Sequence, residues 1–470
     1  MNRVHKDENR NADAAAGVPA KQFDWPLAFP SETYLRQRID DFLARNTFAQ
    51  QLAERMRAET GTDFFEWVDH LTLPASEEKT LLDMGFEPDS AETAHGETVL
   101  HHPRATLPRV LLTKAHDRPL LAIRPEFVAD FAAAHSLAGT IEGGPCSRLR
   151  RVVVSEENGA KFEAVERNGY RGFVVAPLHP ADLRDFVEAR EAWRTRRRHC
   201  RNDEDGFRAA GAVLARSLEL VGRDLSCQFF FEEERRYWES RNRAARVQKF
   251  RQDSLGLGWG NHDHHTFRCS RQHFVDLIEF LLQLGFVKRE RYYAGAEAGW
   301  GAQVSEQPHV GIVVFADVDL LPEETQIDFS RIRLAPAPRL GTVGLWVGLH
   351  GESFLEAGMH HLEARFDFDL LRSQLEKQGV STMKPFSDFE FLRQAFTEGE
   401  RWPVSRDRAK RLLHEGLITS DQFEKFLKEG AIGSHLENLQ RHGGFKGFNQ
   451  KSVSVIISAT DPRKNLAAAA

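Results

Sequence analysis

Cysteine is scarce in this sequence: Cys146, Cys200, Cys227 and Cys269 are the only four in 470 residues, and no two are close together. That spacing supports neither a disulfide framework nor a thiolate zinc site, and a reducing cytoplasm is the expected compartment. No apolar run reaches the roughly eighteen residues that a membrane helix needs. Met1–Lys21 is polar and lacks the apolar stretch of a signal peptide. Cationic excess is missing too. Lys+Arg number 63 against 69 Asp+Glu, a formal net charge of −6, which argues against a nucleic-acid partner. A glycine-rich phosphate loop and a Gly-x-Ser-x-Gly elbow are both absent. What is present is 41% hydrophobic and 28% charged, enough for a sizeable folded core.

Along the chain, residues 1–21 read as a loose tail. A helix follows from Tyr34 to Met56, with Leu35, Ile39, Phe42, Leu43, Phe48, Leu52 and Met56 at helical spacing. Phe64–Leu73 is aromatic and β-branched and reads as a strand. Shorter strands are expected at Thr98–His101, Arg109–Leu112, Leu120–Ile123, Arg151–Val154 and Phe173–Val175. From Pro180 to Phe250 the pattern is helical and highly charged. Its arginine clusters at Arg194–Arg198 and Arg241–Arg246 read as solvated helix faces, because acids interleave with them. Strand signals return at Asp263–Cys269, Val287–Ala294, Gly301–Ser305, Gly311–Val318 and Thr342–Leu349. The region after Asp367 reads as mainly helical, with a last strand at Ser452–Ser458. The expected units are therefore 22–178, a helical insertion at 179–252, then 253–355 and 356–470.

Two segments echo each other. Asp69-His70-Leu71-Thr72-Leu73 is followed by Leu81-Leu82-Asp83-Met84-Gly85-Phe86. Asp263-His264-His265-Thr266-Phe267 is followed by Leu281-Leu282-Gln283-Leu284-Gly285-Phe286. Each reads as a strand with a central histidine, a helix, a glycine corner and further short strands, a β-α-β-β-β unit. Packing alone asks for the leucines and the Gly-Phe corner. A histidine at the same place in each strand asks for more, and it shares a strand face with the threonine two residues on.

A pair of such units resembles the vicinal oxygen chelate superfamily, in which two modules close a cup and inward side chains from both hold one divalent metal. Asp263-His264-His265-Thr266-Phe267-Arg268 also resembles the Asn/Asp-His-x-Thr/Ala-x-Arg stretch of the 2-oxoadipate dioxygenase/decarboxylase (hydroxyglutarate synthase) family. That resemblance implies iron(II) held by two His and one Glu, with an Arg reserved for a substrate carboxylate. It makes His264 a metal ligand and Arg268 the carboxylate clamp. After His70 the position of that Arg is Pro74, and the family's Gly-Glu-Val/Ile-Glu stretch has no clean counterpart.

A facial triad of two imidazoles and one carboxylate leaves coordination positions open for substrate and O₂. The candidates are His70, His264 and Glu306, the last in Trp300-Gly-Ala-Gln-Val-Ser-Glu306. Glu352, His350, His361 and Glu363 are rivals for the third place. Regular alternation puts His262 on the face of His264, and His265 and Cys269 on the other. Leu255-Gly-Leu-Gly-Trp-Gly260 reads as a flexible approach to the site or a lid hinge.

The expected protein is α+β, with two β-α-β-β-β modules, a helical insertion and a helical C-terminal region. Its expected activity is that of a mononuclear metal enzyme, an iron(II) dioxygenase/decarboxylase acting on a small 2-oxo or hydroxy carboxylate with O₂. A metal-dependent isomerase or lyase and a non-catalytic small-molecule binder are the alternatives.

Overall fold

The computed structural model of the chain describes residues 25–114, 118–177, 179–294 and 299–449. The tail at 1–21 and the strand expected at Ser452–Ser458 fall outside them.

The strands form two sheets. The first contains Val68–Pro74 (β1), Glu87–Asp89 (β2), Thr98–His101 (β3), Arg109–Thr113 (β4), Leu120–Ile123 (β5), Leu149–Glu157 (β6) and Ala160–Arg167 (β7), in the order β2-β3-β4-β1-β5-β7-β6. The second contains His262–Arg268 (β8), Val287–Tyr293 (β9), Trp300–Gln307 (β10), Ile312–Asp319 (β11), His361–Arg365 (β12), Ser387–Phe389 (β13), Leu392–Phe396 (β14), Glu400–Trp402 (β15) and Ala431–Arg441 (β16). Its order is β13-β14-β16-β12-β8-β11-β10-β9, with β15 beside β16.

Both expected β-α-β-β-β modules are there. β1 runs to the helix Glu78–Asp83, then β2, β3 and β4, and pairs with β4 in parallel. β8 runs to the helix Phe274–Gln283, then β9, β10 and β11, and pairs with β11 in parallel. In the second helix Phe274, Leu277, Ile278 and Leu281 recur at helical spacing and are buried in the core. Both helices turn into their strands through a glycine at φ 90°, Gly85 and Gly285, a backbone state open mainly to glycine. Phe86 and Phe286 then enter the core.

Each sheet also holds a second unit. β5 leads through the helix Val128–Ala134 to β6 and β7 and pairs with β7 in parallel. β12 leads through the helix Phe368–Lys377 to β13, β14 and β16 and pairs with β16 in parallel. The two units of a sheet join through their first strands, β1 to β5 and β8 to β12, both antiparallel. The modules carrying His70 and His264 therefore lie in different sheets, and each is joined to a later segment of chain. The C-terminal region carries helices at Phe368–Lys377, Arg406–His414 and Ser420–Glu429. Between and beyond them run the strands that complete the second sheet.

Several readings change. Thr342–Leu349, expected as a strand, lies in the helix Thr342–His350. It is buried on nearly every side, so its apolar run carries no helical period. The buried Asp319 carboxylate starts it by accepting the N–H groups of Gly341, Val343 and Gly344. The arginine cluster Arg194–Arg198 is solvated only in part: Arg194 and Arg197 are exposed, but Arg196 and Arg198 reach inward to Glu234, at 2.6 and 2.7 Å. The 255–260 glycine run is packed rather than free. A Cβ at Gly256, Gly258 or Gly260 would stand 2.4 Å from Phe131, Glu126 or Arg124 of the first half. Phe173–Val175 forms no strand.

The helices Pro180–Arg194, Asp203–Ser240 and Arg243–Asp253 form the insertion. Phe231 packs against His265 and Phe267 on the outer face of β8, which leaves the inner face for chemistry. Among the described residues, no helix is long and apolar enough to cross a membrane.

Candidate metal centre

Side chains from β8, β9, β10, β11, β12, β14 and β16 converge on one cavity of about 70 Å³, so the second sheet curls around it. Its floor holds His264, His361 and Glu437. Its walls include Phe315, Phe396 and Phe448, and Arg268 and Asp317 also line it. Ligand atoms of His264, His361 and Glu437 all lie within 4.8 Å of one another. His361 Nε2 is 3.0 Å and His264 Nε2 3.9 Å from Glu437 Oε2. Metal–ligand bonds of about 2.0–2.2 Å require donor atoms at roughly this spacing.

Strand register explains the meeting. His264 on β8 stands opposite Glu363 on β12, and Glu363 stands opposite Glu437 on β16. His361 lies two residues before Glu363, on the same face and opposite Thr266. Thr266 Oγ1 is 2.8 Å from His361 Nε2. A bulge at Asp263 breaks the β8–β12 register, so His264 pairs with Glu363 but His262 with Ala364. His262 consequently sits beside His265, ring centres 5.4 Å apart, and hydrogen-bonds to the Trp259 carbonyl. Regular alternation would place it with His264.

The residues behind the floor fix His264. Its Nδ1 lies 2.9 Å from Glu363 Oε1 and 3.5 Å from Asp263 Oδ1. Gln394 Nε2 donates to Glu363 at 2.8 Å and to Glu437 at 3.3 Å. Asp263 is gripped by both Arg441 and Arg365. Burial opposes charge on His264, yet Glu363 and Asp263 outweigh it and push its pKa up to about 9. Burial, with His264 adding repulsion, holds His361 well below the usual range, so a neutral nitrogen is available there. Burial and the neighbouring Glu363 charge push Glu437 well above the usual carboxylate range. Two buried carboxylates side by side with a neutral imidazole form a donor set that a divalent cation fits: the cation would take the place of the proton on Glu437.

Arg268 is 2% exposed, lies in the same cavity and has its guanidinium 5.6 Å from the Trp346 ring. Its cross-strand neighbour is Asp317. Burial raises Asp317 to about 7, although Arg268 and His264 pull the other way.

The structure does not bring His70 and Glu306 to this floor. His70 is in the other sheet, its Nδ1 2.7 Å from Asp69 and its ring edge-on to Phe173. Glu306 stands two strands from His264 along one cross-strand row, His264 to Val313 to Glu306. Two strand spacings of about 4.8 Å exceed what one ion spans. Its carboxylate meets Lys446 at 2.9 Å and Arg289 at 3.7 Å. Glu352 accepts from the Ser270 N–H, and His350 lies 3.1 Å from the Ile432 carbonyl, its pKa lowered to about 3 by burial. Sequence reasoning misses Glu437 because Ala431–Arg441 lies in a region that reads as helical. One signal is available: Glu437 and Arg441 repeat the spacing of Glu163 and Arg167.

The matched histidines thus have a structural counterpart. Asp69 sits on a bulge like that of Asp263 and is gripped bidentately by Arg167 of β7, as Asp263 is by Arg441 of β16. Ala122 takes the place of Glu363 opposite His70, and Glu163 that of Glu437. Leu120, whose N–H bonds to Thr72 Oγ1, takes the place of His361. The first sheet repeats the frame and lacks one imidazole.

No family model and no curated protein matches the chain. Among solved structures, a triple mutant of 4-hydroxymandelate synthase from Streptomyces coelicolor is 14% identical, covering 85% of this chain and 98% of its own, with a TM-score of 0.29. A xylose isomerase-like TIM barrel/4-hydroxyphenylpyruvate dioxygenase fusion protein is 12% identical over 94% of this chain and 58% of its own, TM-score 0.26. Methylmalonyl-CoA epimerase from Mycobacterium tuberculosis is 14% identical over 39% of this chain and 88% of its own, TM-score 0.21. The fold itself is α+β with paired β-α-β-β-β modules, the architecture that the vicinal oxygen chelate resemblance implied.

Proposed function

We propose that the chain is a mononuclear metal-dependent enzyme of the non-haem iron(II) type, acting on a small 2-oxo or hydroxy carboxylate. The observation that carries this reading is the grouping of His264, His361 and Glu437 at the floor of a small aromatic cavity that Arg268 also lines. A divalent metal on that triad supplies open coordination positions for a chelating substrate and, as iron(II), for O₂.

The remaining work falls to the chain. Glu363 and Asp263 orient the His264 ring through Nδ1, leaving Nε2 toward Glu437. Arg268 receives the substrate carboxylate, and its buried charge favours an anion over a neutral ligand. The Phe315, Phe396 and Phe448 rings limit water around the reacting atoms. Asp317, beside Arg268, holds a proton near neutral pH and can take one up or release it at its carboxyl oxygen.

Asp317 also supports a second reading, a metal-dependent isomerase that moves a proton next to the carboxylate without using O₂. Oxygen uptake by the metal-loaded enzyme, measured across a panel of 2-oxo acids, separates the two. The dioxygenase reading expects substrate-dependent O₂ consumption with release of CO₂. Solvent deuterium entering the recovered acid with no O₂ consumed would replace it with the isomerase.

A further inference from the structure

Between the two sheets lies a second cavity, of about 680 Å³, lined by residues of both. It adjoins the metal pocket: Phe315 and Phe448 line the two alike, their rings 5.1 Å apart. Seven lysine and arginine residues line it against five aspartates and glutamates. Most are matched. Arg365 and Arg441 close on Asp263, Arg171 on Asp89, and Lys446 on Glu306.

Arg124 is different. Its side chain makes no hydrogen bond and no ion pair with the described residues. The acid nearest to it in effect is Asp69, which Arg167 grips with both nitrogens and which His70 and Arg109 also approach, at 2.7 and 3.7 Å. From the end of β5, Arg124 spans the gap to the second sheet. Its Nη1 lies 4.0 Å from where a Cβ on Gly311 would stand, with nothing else nearer that point. Trp67 lines the same cavity and is 1% exposed, and its indole N–H is buried without a partner among the described residues. Arg109, also in the lining, is pressed to about 9 and Arg124 to about 10 by burial, with Arg167 adding repulsion to both. A half-buried guanidinium with no acid of its own, facing a cavity where cations outnumber acids, favours an anion as its partner.

We propose that the inter-sheet cavity is a binding site for a small oxyanion, a carboxylate or a phosphate, held by Arg124 and separate from the metal centre. The planar fork of Arg124 offers paired donors to such a group, and the volume admits an organic body behind it. The Phe315–Phe448 pair stands between this anion and the metal pocket.

Calorimetric titration of the full-length, metal-loaded protein with malonate and with inorganic phosphate tests this, each at low and high salt. A saturable site that needs Arg124 and is distinct from any carboxylate binding at the metal centre is expected for at least one of the two, and the better ligand identifies the anion class. Arg124→Gln should weaken that binding about tenfold or more, the scale of a lost charge-assisted contact, with metal content unchanged. Arg124→Lys keeps the charge and the packing but not the fork, and should weaken it less than the glutamine variant does. His361→Ala should leave it in place, since the metal centre is not the anion's partner. Failure of both anions to bind, parental affinity in both Arg124 variants, or loss of binding in His361→Ala would each overturn the proposal.

Discussion

Arg268 and His264 share a strand face, and both are legible in six residues, Asp263-His264-His265-Thr266-Phe267-Arg268. A strand presents positions i, i+2 and i+4 together whatever the rest of the chain does. Their partners are not legible in that way, because they come from strands far along the chain, His361 on β12 and Glu437 on β16. Arg268 carries a prediction at this scale. Arg268→Ala should weaken carboxylate binding by roughly 1.5–3 kcal/mol, the scale of a charge-assisted hydrogen bond, and leave bound metal unchanged. Titration of a 2-oxo acid alongside metal analysis checks both halves. Unaltered affinity, or loss of the metal, would remove Arg268 from the substrate's carboxylate.

At the scale of elements, two buried carboxylates organise the site. Asp263 makes the β8 bulge and is held by Arg441 and Arg365. Asp263→Ala leaves these buried guanidinium groups short of an anion, a loss of about 3–5 kcal/mol in denaturant unfolding. It also frees the His264 ring, which should cost about 10–100-fold in metal affinity. Stability unchanged within error would contradict the role given to the bulge. Asp319 caps the helix Thr342–His350, and burial, outweighing its three backbone hydrogen bonds, raises its pKa from 3.8 to about 6. A carboxyl raised on folding stabilises most fully below its unfolded pKa, and that contribution is lost as pH climbs through the folded value. The stability of the parent relative to Asp319→Asn should therefore fall between about pH 4 and 6 and level off above; a flat difference over that window would rule out the titration. The sequence hides this helix because an element buried all round shows no period. It hides β12 to β16 because short strands alternate there with true helices.

At the scale of the whole molecule, the Asp-His repeat marks a duplicated sheet rather than the two halves of one site. The frame recurs as Asp69-His70 with Glu163 and Arg167, and as Asp263-His264 with Glu437 and Arg441. Leu120 stands where the second sheet has His361, so the first sheet lacks a facial pair of imidazoles. A repeat in sequence reveals that two segments adopt the same local structure. It does not reveal which strands they pair with, and strand pairing decides which side chains meet.

Metal analysis of protein purified from medium containing iron, set beside three variants, tests whether the ion sits on His264, His361 and Glu437. A site there gives about one equivalent of metal per chain, lost in His361→Ala and in Glu437→Ala and retained in His70→Ala, since one triad is complete and the other is not. Metal that persists in His361→Ala, or that disappears in His70→Ala, would contradict it.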